Sequence, residues 1–257
     1  MRKAIFTLVA AAIAAFFIYT NTDIVDAGSN EAAEEATPAG PRVSVELNDL
    51  IGSDGSATIG TVDRDKATAL IASLETSKAA SMKGYDRIPQ YGDWLTGDDS
   101  SDPSFCGDTR NDVLNRDFDD ITYVHDDDCQ IATGTLADPY TGETIDFTRG
   151  PSTSAEVQIE HIVSLGYTYR MGAKDWTQDK REAIANDPAN LIAVDGPANQ
   201  SKSDLGPEDW MPTDSGNPAY DCTFVARYAF VADKYELPVT PADRKAMTST
   251  IKACENN

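Results

Sequence analysis

The stretch that most restricts the fold is Val157-Gln158-Ile159-Glu160-His161-Ile162-Val163, which alternates apolar and polar side chains before turning wholly apolar. That period belongs to a half-buried strand, and Ser164 to Gly166 ends it. Leu191 to Val194 is a second short strand. Asp195-Gly196-Pro197 then turns into a helix with proline at its start, and Asn199 and Lys202 lie on that helix. Strand, intervening loop, strand and helix predict a ββα unit with its polar residues gathered at one end. The loop itself predicts two short helices, Leu165 to Met171 and Gln178 to Ala185. Thr177 is the N-cap of the second, and Asp187-Pro188 ends it.

The flanking sequence sets the class as α+β. Arg2 and Lys3 precede an apolar run from Ala4 to Tyr19, and Val25-Asp26-Ala27 offers small residues for a peptidase. Residues 1–27 therefore read as a signal peptide or an uncleaved N-terminal anchor, and both export the chain. Residues 28–60 read as a flexible linker, Ala/Glu/Pro-rich over Gly28 to Pro41, with weak strand alternation between Arg42 and Val62. The domain proper spans 61–257. Helical spacing covers Asp63 to Ala80, a short helix covers Asp112 to Phe118, and a hairpin arm covers Leu136 to Arg149. Ala219 to Tyr235 and Pro241 to Ala253 form an αα-hairpin joined at Leu237-Pro238, with Thr240 as N-cap.

Export makes the four cysteines disulfide candidates, and four permit three pairings. If the last two helices are antiparallel, Cys222 at the start of one lies beside Cys254 at the end of the other. That leaves Cys106 with Cys129.

The formal net charge is −22, a poor balance for gripping nucleic acid through phosphates alone. The charge is unevenly placed. Asp98 to Asp128 holds eleven Asp against Arg110 and Arg116, a net of −9, whereas Arg149 to Lys202 carries six Lys/Arg against seven Asp/Glu, a net of −1. The acidic run lacks the twelve-residue calcium-loop spacing and reads as solvated surface, with His125 a surface histidine among aspartates. In the near-neutral segment a divalent cation can supply the local positive charge.

Glu160 beside His161, taken alone, is best read as an ordinary strand end, because neighbours on a strand point to opposite faces. The wider pattern changes that reading. Glu160-His161-Ile162-Val163, Asn190-Leu191 and Asn199-x-x-Lys202-Ser203-Asp204 resemble the HNH endonucleases of the ββα-metal (His-Me finger) group. Tyr85-Asp86-Arg87, Tyr91-Gly92-x-Trp94, Asp108-Thr109-Arg110-Asn111, Asp138-Pro139-Tyr140-Thr141-Gly142, Gly172-Ala173-x-x-Trp176, Ala185-Asn186-Asp187-Pro188-x-Asn190 and Trp210-x-Pro212 extend the resemblance to the exported bacterial HNH nuclease family.

The resemblance implies phosphodiester hydrolysis of DNA, with RNA as a second substrate. His161 would be the general base, and Glu160 and Asn199 the protein ligands of a single divalent cation, Mg²⁺ first and Mn²⁺ second. Asn190 would hold the loop that aims His161. Lys202 either neutralises phosphate or caps its helix, and Arg149 either contacts phosphate or makes a surface ion pair. Trp176 and Trp210 read as core. The family usually has Asp, Pro and Gly where Glu160, Ser164 and Ser203 stand, which puts rate and metal preference in question. The expected protein is a monomer, secreted or tethered outside the membrane by its leader. The rival reading is a secreted binding protein that keeps the fold without turnover and uses its negative charge on a basic partner.

Overall fold

The computed structural model describes residues 44–53, 55–97, 105, 107–125 and 129–254. Four helices come first: α1 (Leu47–Ile51), α2 (Arg64–Ser73), α3 (Arg87–Tyr91) and α4 (Thr109–Asp117). An antiparallel meander of β1 (Asp119–Tyr123), β2 (Ile131–Ala137) and β3 (Thr144–Thr148) follows. Next, β4 (Val157–His161) pairs antiparallel with β5 (Leu191–Asp195), and the connection between them contains α5 (Leu165–Arg170) and α6 (Gln178–Ala185). Then α7 (Gly196–Lys202) leaves β5 directly, and α8 (Asp221–Lys234) and α9 (Pro241–Ala253) complete the chain. The architecture is α+β, and a strand–strand–helix unit stands where the sequence placed it.

Local chemistry explains the boundaries. Thr177, Asp195 and Thr240 each accept a backbone N–H from the first turn of the helix they precede. Ser164 does the same for α5, taking the N–H of Tyr167 at 3.1 Å, so the residue that departs from the proline of the resembling nucleases is a working cap. The β5–α7 turn needs Gly196, since a Cβ there would come within 2.3 Å of the Ala155 carbonyl oxygen. At the other end of α7, Ser203 adopts φ 50°, a backbone setting that favours glycine.

In β4 the register Glu160↔Ile192 and His161↔Leu191 sets the strand end beside the start of β5. The core runs from Val157, Ile159, Ile162 and Val163 through Leu191–Val194 to Phe224, Val225, Tyr228 and Val231 of α8, all buried. Arg227 is 0% exposed in the middle of that apolar helix face. Its guanidinium donates to the carbonyls of Ala189 at 2.7 Å, Leu191 at 2.8 Å, and Pro188 and Ser56 at 3.0 Å. Arg116 donates to Pro188 and Leu191 as well. The loop entering β5 is thus held by two guanidiniums on backbone oxygens.

Several expectations are corrected. Part of the 28–60 linker is folded: Leu50 and Ile51 of α1 are fully buried, and the weak strand alternation there gives a helix. The helix expected over 63–80 stops at Ser73. Cys222 and Cys254 are bridged, their Cα atoms 6.1 Å apart. The partner expected for Cys129, Cys106, and the 1–27 leader lie outside the described residues. No helix among those described is long and apolar enough to cross a membrane.

Removing the Arg227 donors orphans the Ala189 and Ser56 carbonyls, Arg116 still serving Pro188 and Leu191, at roughly 1–3 kcal/mol each. Arg227→Met is therefore expected to lose at least about 2 kcal/mol in urea unfolding. A loss under about 1 kcal/mol would show that water can replace the guanidinium.

Candidate active site

His161 closes β4, and its imidazole is 8% exposed. Three contacts fix it. Its ring stacks on Trp94, centroids 5.6 Å apart and planes 13° from parallel. Nε2 lies 2.9 Å from the Ala185 carbonyl oxygen, which only accepts, so Nε2 carries the proton and Nδ1 keeps its lone pair. The backbone around it is tied by Asn190, which is fully buried. Asn190 Oδ1 accepts from Val163 N at 2.8 Å, its Nδ2 donates to Ile184 O at 3.1 Å and Val163 O at 3.3 Å, and its carbonyl accepts from Ile162 N.

Trp94 is held in turn from α6. Asn186 Oδ1 accepts from Leu95 N at 3.0 Å and Thr109 Oγ1 at 2.7 Å. The Ala185-to-Asn190 motif thereby positions three parts of the site. Burial, with smaller contributions from the charges of Arg87 and Lys202, pulls the His161 pKa down to about 3 against the opposing effect of the Ala185 carbonyl.

Glu160 points the other way, toward α7, as strand alternation requires. It is 4% exposed, and its Oε1 lies 2.5 Å from Nζ of Lys202, which is 0% exposed. Lys202 Nζ also donates to the His161 carbonyl at 3.2 Å. The ammonium and the carboxylate oxygen form a close, buried ion pair. Burial raises the Glu160 pKa and the Lys202 charge counters it. The fully buried Tyr140 hydroxyl is pushed well above its ordinary value, chiefly by burial and then by Glu160.

One rung away, Asn199 Nδ2 donates to Gln158 Oε1 at 2.9 Å. Gln158 and Glu160 share a face of β4, and Asn199 and Lys202 share a face of α7. The two expected cation ligands therefore line one β4/α7 interface. The imidazole opens on the opposite side, into a cleft of about 510 Å³ lined by Tyr85, Arg87, Ser164, Ser203 and Asp204 among others.

This geometry corrects three expectations. The expected cation ligands Glu160 and Asn199 do not line the cleft of His161, because neighbouring residues of a strand point to opposite faces. Lys202 is neither a free phosphate cation nor a helix cap; it is the buried counter-ion of Glu160. Arg149 makes no carboxylate pair among the described residues and does not line the cleft, since it donates to Ile131 O and to Asn111 Oδ1. Asp108 caps α4, and Arg110 reaches the Ser154 and Val157 carbonyls at the start of β4. Trp210 is core, with Nε1 on Ser201 Oγ at 3.1 Å.

As a cation site, the β4/α7 interface offers mixed carboxylate and amide oxygens. No cluster of three or more His, Cys, Asp or Glu side chains suited to a metal occurs among the described residues. The residues present do not make an open cation site: Glu160 Oε1 is taken by the Lys202 ammonium at 2.5 Å, while Asn199 commits its nitrogen, not its oxygen, to Gln158. Sequence reasoning missed Trp94, Tyr140, Gln158 and Arg87. The Tyr85-Asp86-Arg87 and Tyr91-Gly92-x-Trp94 motifs marked two of these without giving them work.

Residues 108–250 match the family described as GmrSD restriction endonucleases, C-terminal domain. An "uncharacterized secreted protein" of Arthroderma benhamiae is 33% identical over 190 residues, covering 73% of this chain and 84% of its own length. A fungal relative gives no support to the bacterial restriction expected above. No solved structure matches the chain.

With a folded pKa of about 3 below an unfolded value near 6.5, His161 stabilises the fold fully above about pH 6.5. That contribution is lost as the pH falls from there toward 3. The ring signals of His161 in ¹⁵N NMR should stay those of a neutral, Nε2-protonated imidazole from about pH 8 to pH 5. Protonation inside that window would contradict the burial argument.

Proposed function

Because the chain belongs to the family of GmrSD restriction endonuclease C-terminal domains, we propose that it is an exported, metal-dependent endonuclease of HNH type. It hydrolyses phosphodiester bonds of DNA, with RNA as a second substrate. The observation that carries this reading is the His161 imidazole, neutral, fixed in one tautomer by Ala185 O, and lining a cleft large enough for a sugar–phosphate unit.

His161 Nδ1 takes a proton from a water molecule as the water oxygen bonds to phosphorus. The bond from phosphorus to the 3′ oxygen breaks, and the leaving oxygen takes a proton from solvent, giving 5′-phosphate and 3′-hydroxyl ends. Asn190 is a positioning residue that holds the strand end carrying the base. Trp94 keeps the ring plane and excludes water from one face. The divalent cation of the nuclease reading, Mg²⁺ before Mn²⁺, is expected on the hard oxygens of Glu160 and Asn199, but these lie across β4 from the imidazole and the Lys202 ammonium sits 2.5 Å from Glu160, so no step is routed through them. Lys202 compensates the Glu160 charge in the protein alone. Export is supported by the apolar leader, the Cys222–Cys254 bridge and the description of the fungal relative.

The purified protein is expected to nick plasmid with Mg²⁺ or Mn²⁺ and to stop in chelator. His161→Ala should lower the rate by at least about 100-fold. Nicking at the wild-type rate by that variant would remove the assigned base. A wild-type protein that cuts neither plasmid nor RNA would return the chain to the binding-protein reading.

A further inference from the structure

A phosphodiester entering the His161 cleft needs a cation, and the two that the sequence offered are engaged elsewhere. Lys202 is buried against Glu160, and Arg149 is bound to Ile131 O and Asn111. Every other arginine among the described residues except Arg87 donates to at least one main-chain carbonyl, as a brace of the fold. Arg87 differs. Its side chain is exposed at the start of α3, lines the same cleft as His161, and makes no hydrogen bond or ion pair among the described residues. Its guanidinium lies 5.0 Å from the centroid of the Trp94 ring, the ring on which His161 stacks.

The neighbouring charges leave it available. Asp204, the carboxylate lining the cleft, sits 3.4 Å from Arg170 Nε, and Arg170 Nη2 donates to the Asp204 carbonyl. Tyr85 lines the cleft beside Arg87, and Asp86 caps the same short helix without a side-chain bond to it. A planar guanidinium resting on an aromatic face has lost much of its rotamer freedom while its donor fork stays open. That arrangement suits bidentate capture of two oxygens of a phosphate group.

We propose that Arg87 is the substrate-contact residue of the cleft: it binds the non-bridging oxygens of the phosphodiester and presents the phosphorus to His161. This rests on the nuclease reading for its substrate, but the anion subsite itself does not depend on turnover. The subsite is a mononucleotide-scale contact, indifferent to base identity, since the lining residues named here face a phosphate and no base edge is required.

The chain carries two histidines, so the ring signals of His161 can be followed directly by NMR in the full-length protein. Titration with the dinucleotide diester thymidylyl-thymidine should move the His161 signals saturably. In Arg87→Gln the apparent Kd should rise at least 10-fold, and in Arg87→Lys by an intermediate factor, because charge is kept and the fork is lost. Unchanged thermal unfolding of both variants checks that this exposed position leaves the fold intact. In plasmid or chromogenic-diester assays, Arg87→Gln should raise KM and lower kcat/KM by the same order.

Wild-type diester affinity in Arg87→Gln, or no saturable shift in the wild type, would overturn the proposal. Two outcomes separate it from the reading on which it rests. Arg87-dependent diester binding by a protein that cuts nothing keeps the subsite and removes the nuclease. Nicking that is lost in His161→Ala but unaltered in Arg87→Gln keeps the nuclease and removes the subsite.

Discussion

The buried amide of Asn190 is the constraint on which the site depends. A side chain with no exposure must place its donors and acceptor within the protein or leave them unsatisfied at a cost of roughly 1–3 kcal/mol each. Asn190 does so by joining three segments: the exit of β4 at Ile162 and Val163, the end of α6 at Ile184, and its own entry into β5. Residue 185, next after Ile184, supplies the carbonyl that orients His161. The imidazole is therefore aimed by backbone, and that backbone is cross-linked by one amide. Arg227 and Arg116 reinforce the same loop from behind, each through carbonyls of Pro188 and Leu191.

Strand geometry divides the chemistry between two sides. On one side of β4 lie the carboxylate, the amide and the buried ammonium. On the other lie the imidazole, the indole and the open cleft. Lys202 spans the division, since its ammonium touches both the Glu160 side chain and the His161 carbonyl. A charge change at the β4/α7 interface is consequently felt at the imidazole, and Lys202 is among the groups that lower the His161 pKa.

Much of this unit was legible because its signals are local. The N-caps Thr177 and Thr240, the Asp195-Gly196-Pro197 turn into a helix and the apolar alternation of 157–163 each act within a few residues of where they stand. The buried Asn190 was legible through its place in a motif. What escaped notice depends on distant partners. The carbonyls that engage Arg149 and Arg227 come from other elements, so spacing alone gave Arg149 an exposed role and gave Arg227 none. The strand β1, Asp119 to Tyr123, carries too much acid to show an alternation, and pairing with β2 imposes its conformation. The fate of Lys202 also depended on a partner forty-two positions away, a separation that helix and strand periods do not encode.

The Cys222–Cys254 bridge joins the first turn of α8 to the end of α9. Closing a loop of that length removes disorder from the unfolded chain, worth roughly 3–4 kcal/mol. The helix so fastened is the one whose buried guanidinium holds the Pro188–Leu191 carbonyls. Closure of the bridge thus stiffens the floor beneath the imidazole, and a newly made, still reduced chain carries the same residues on a looser footing.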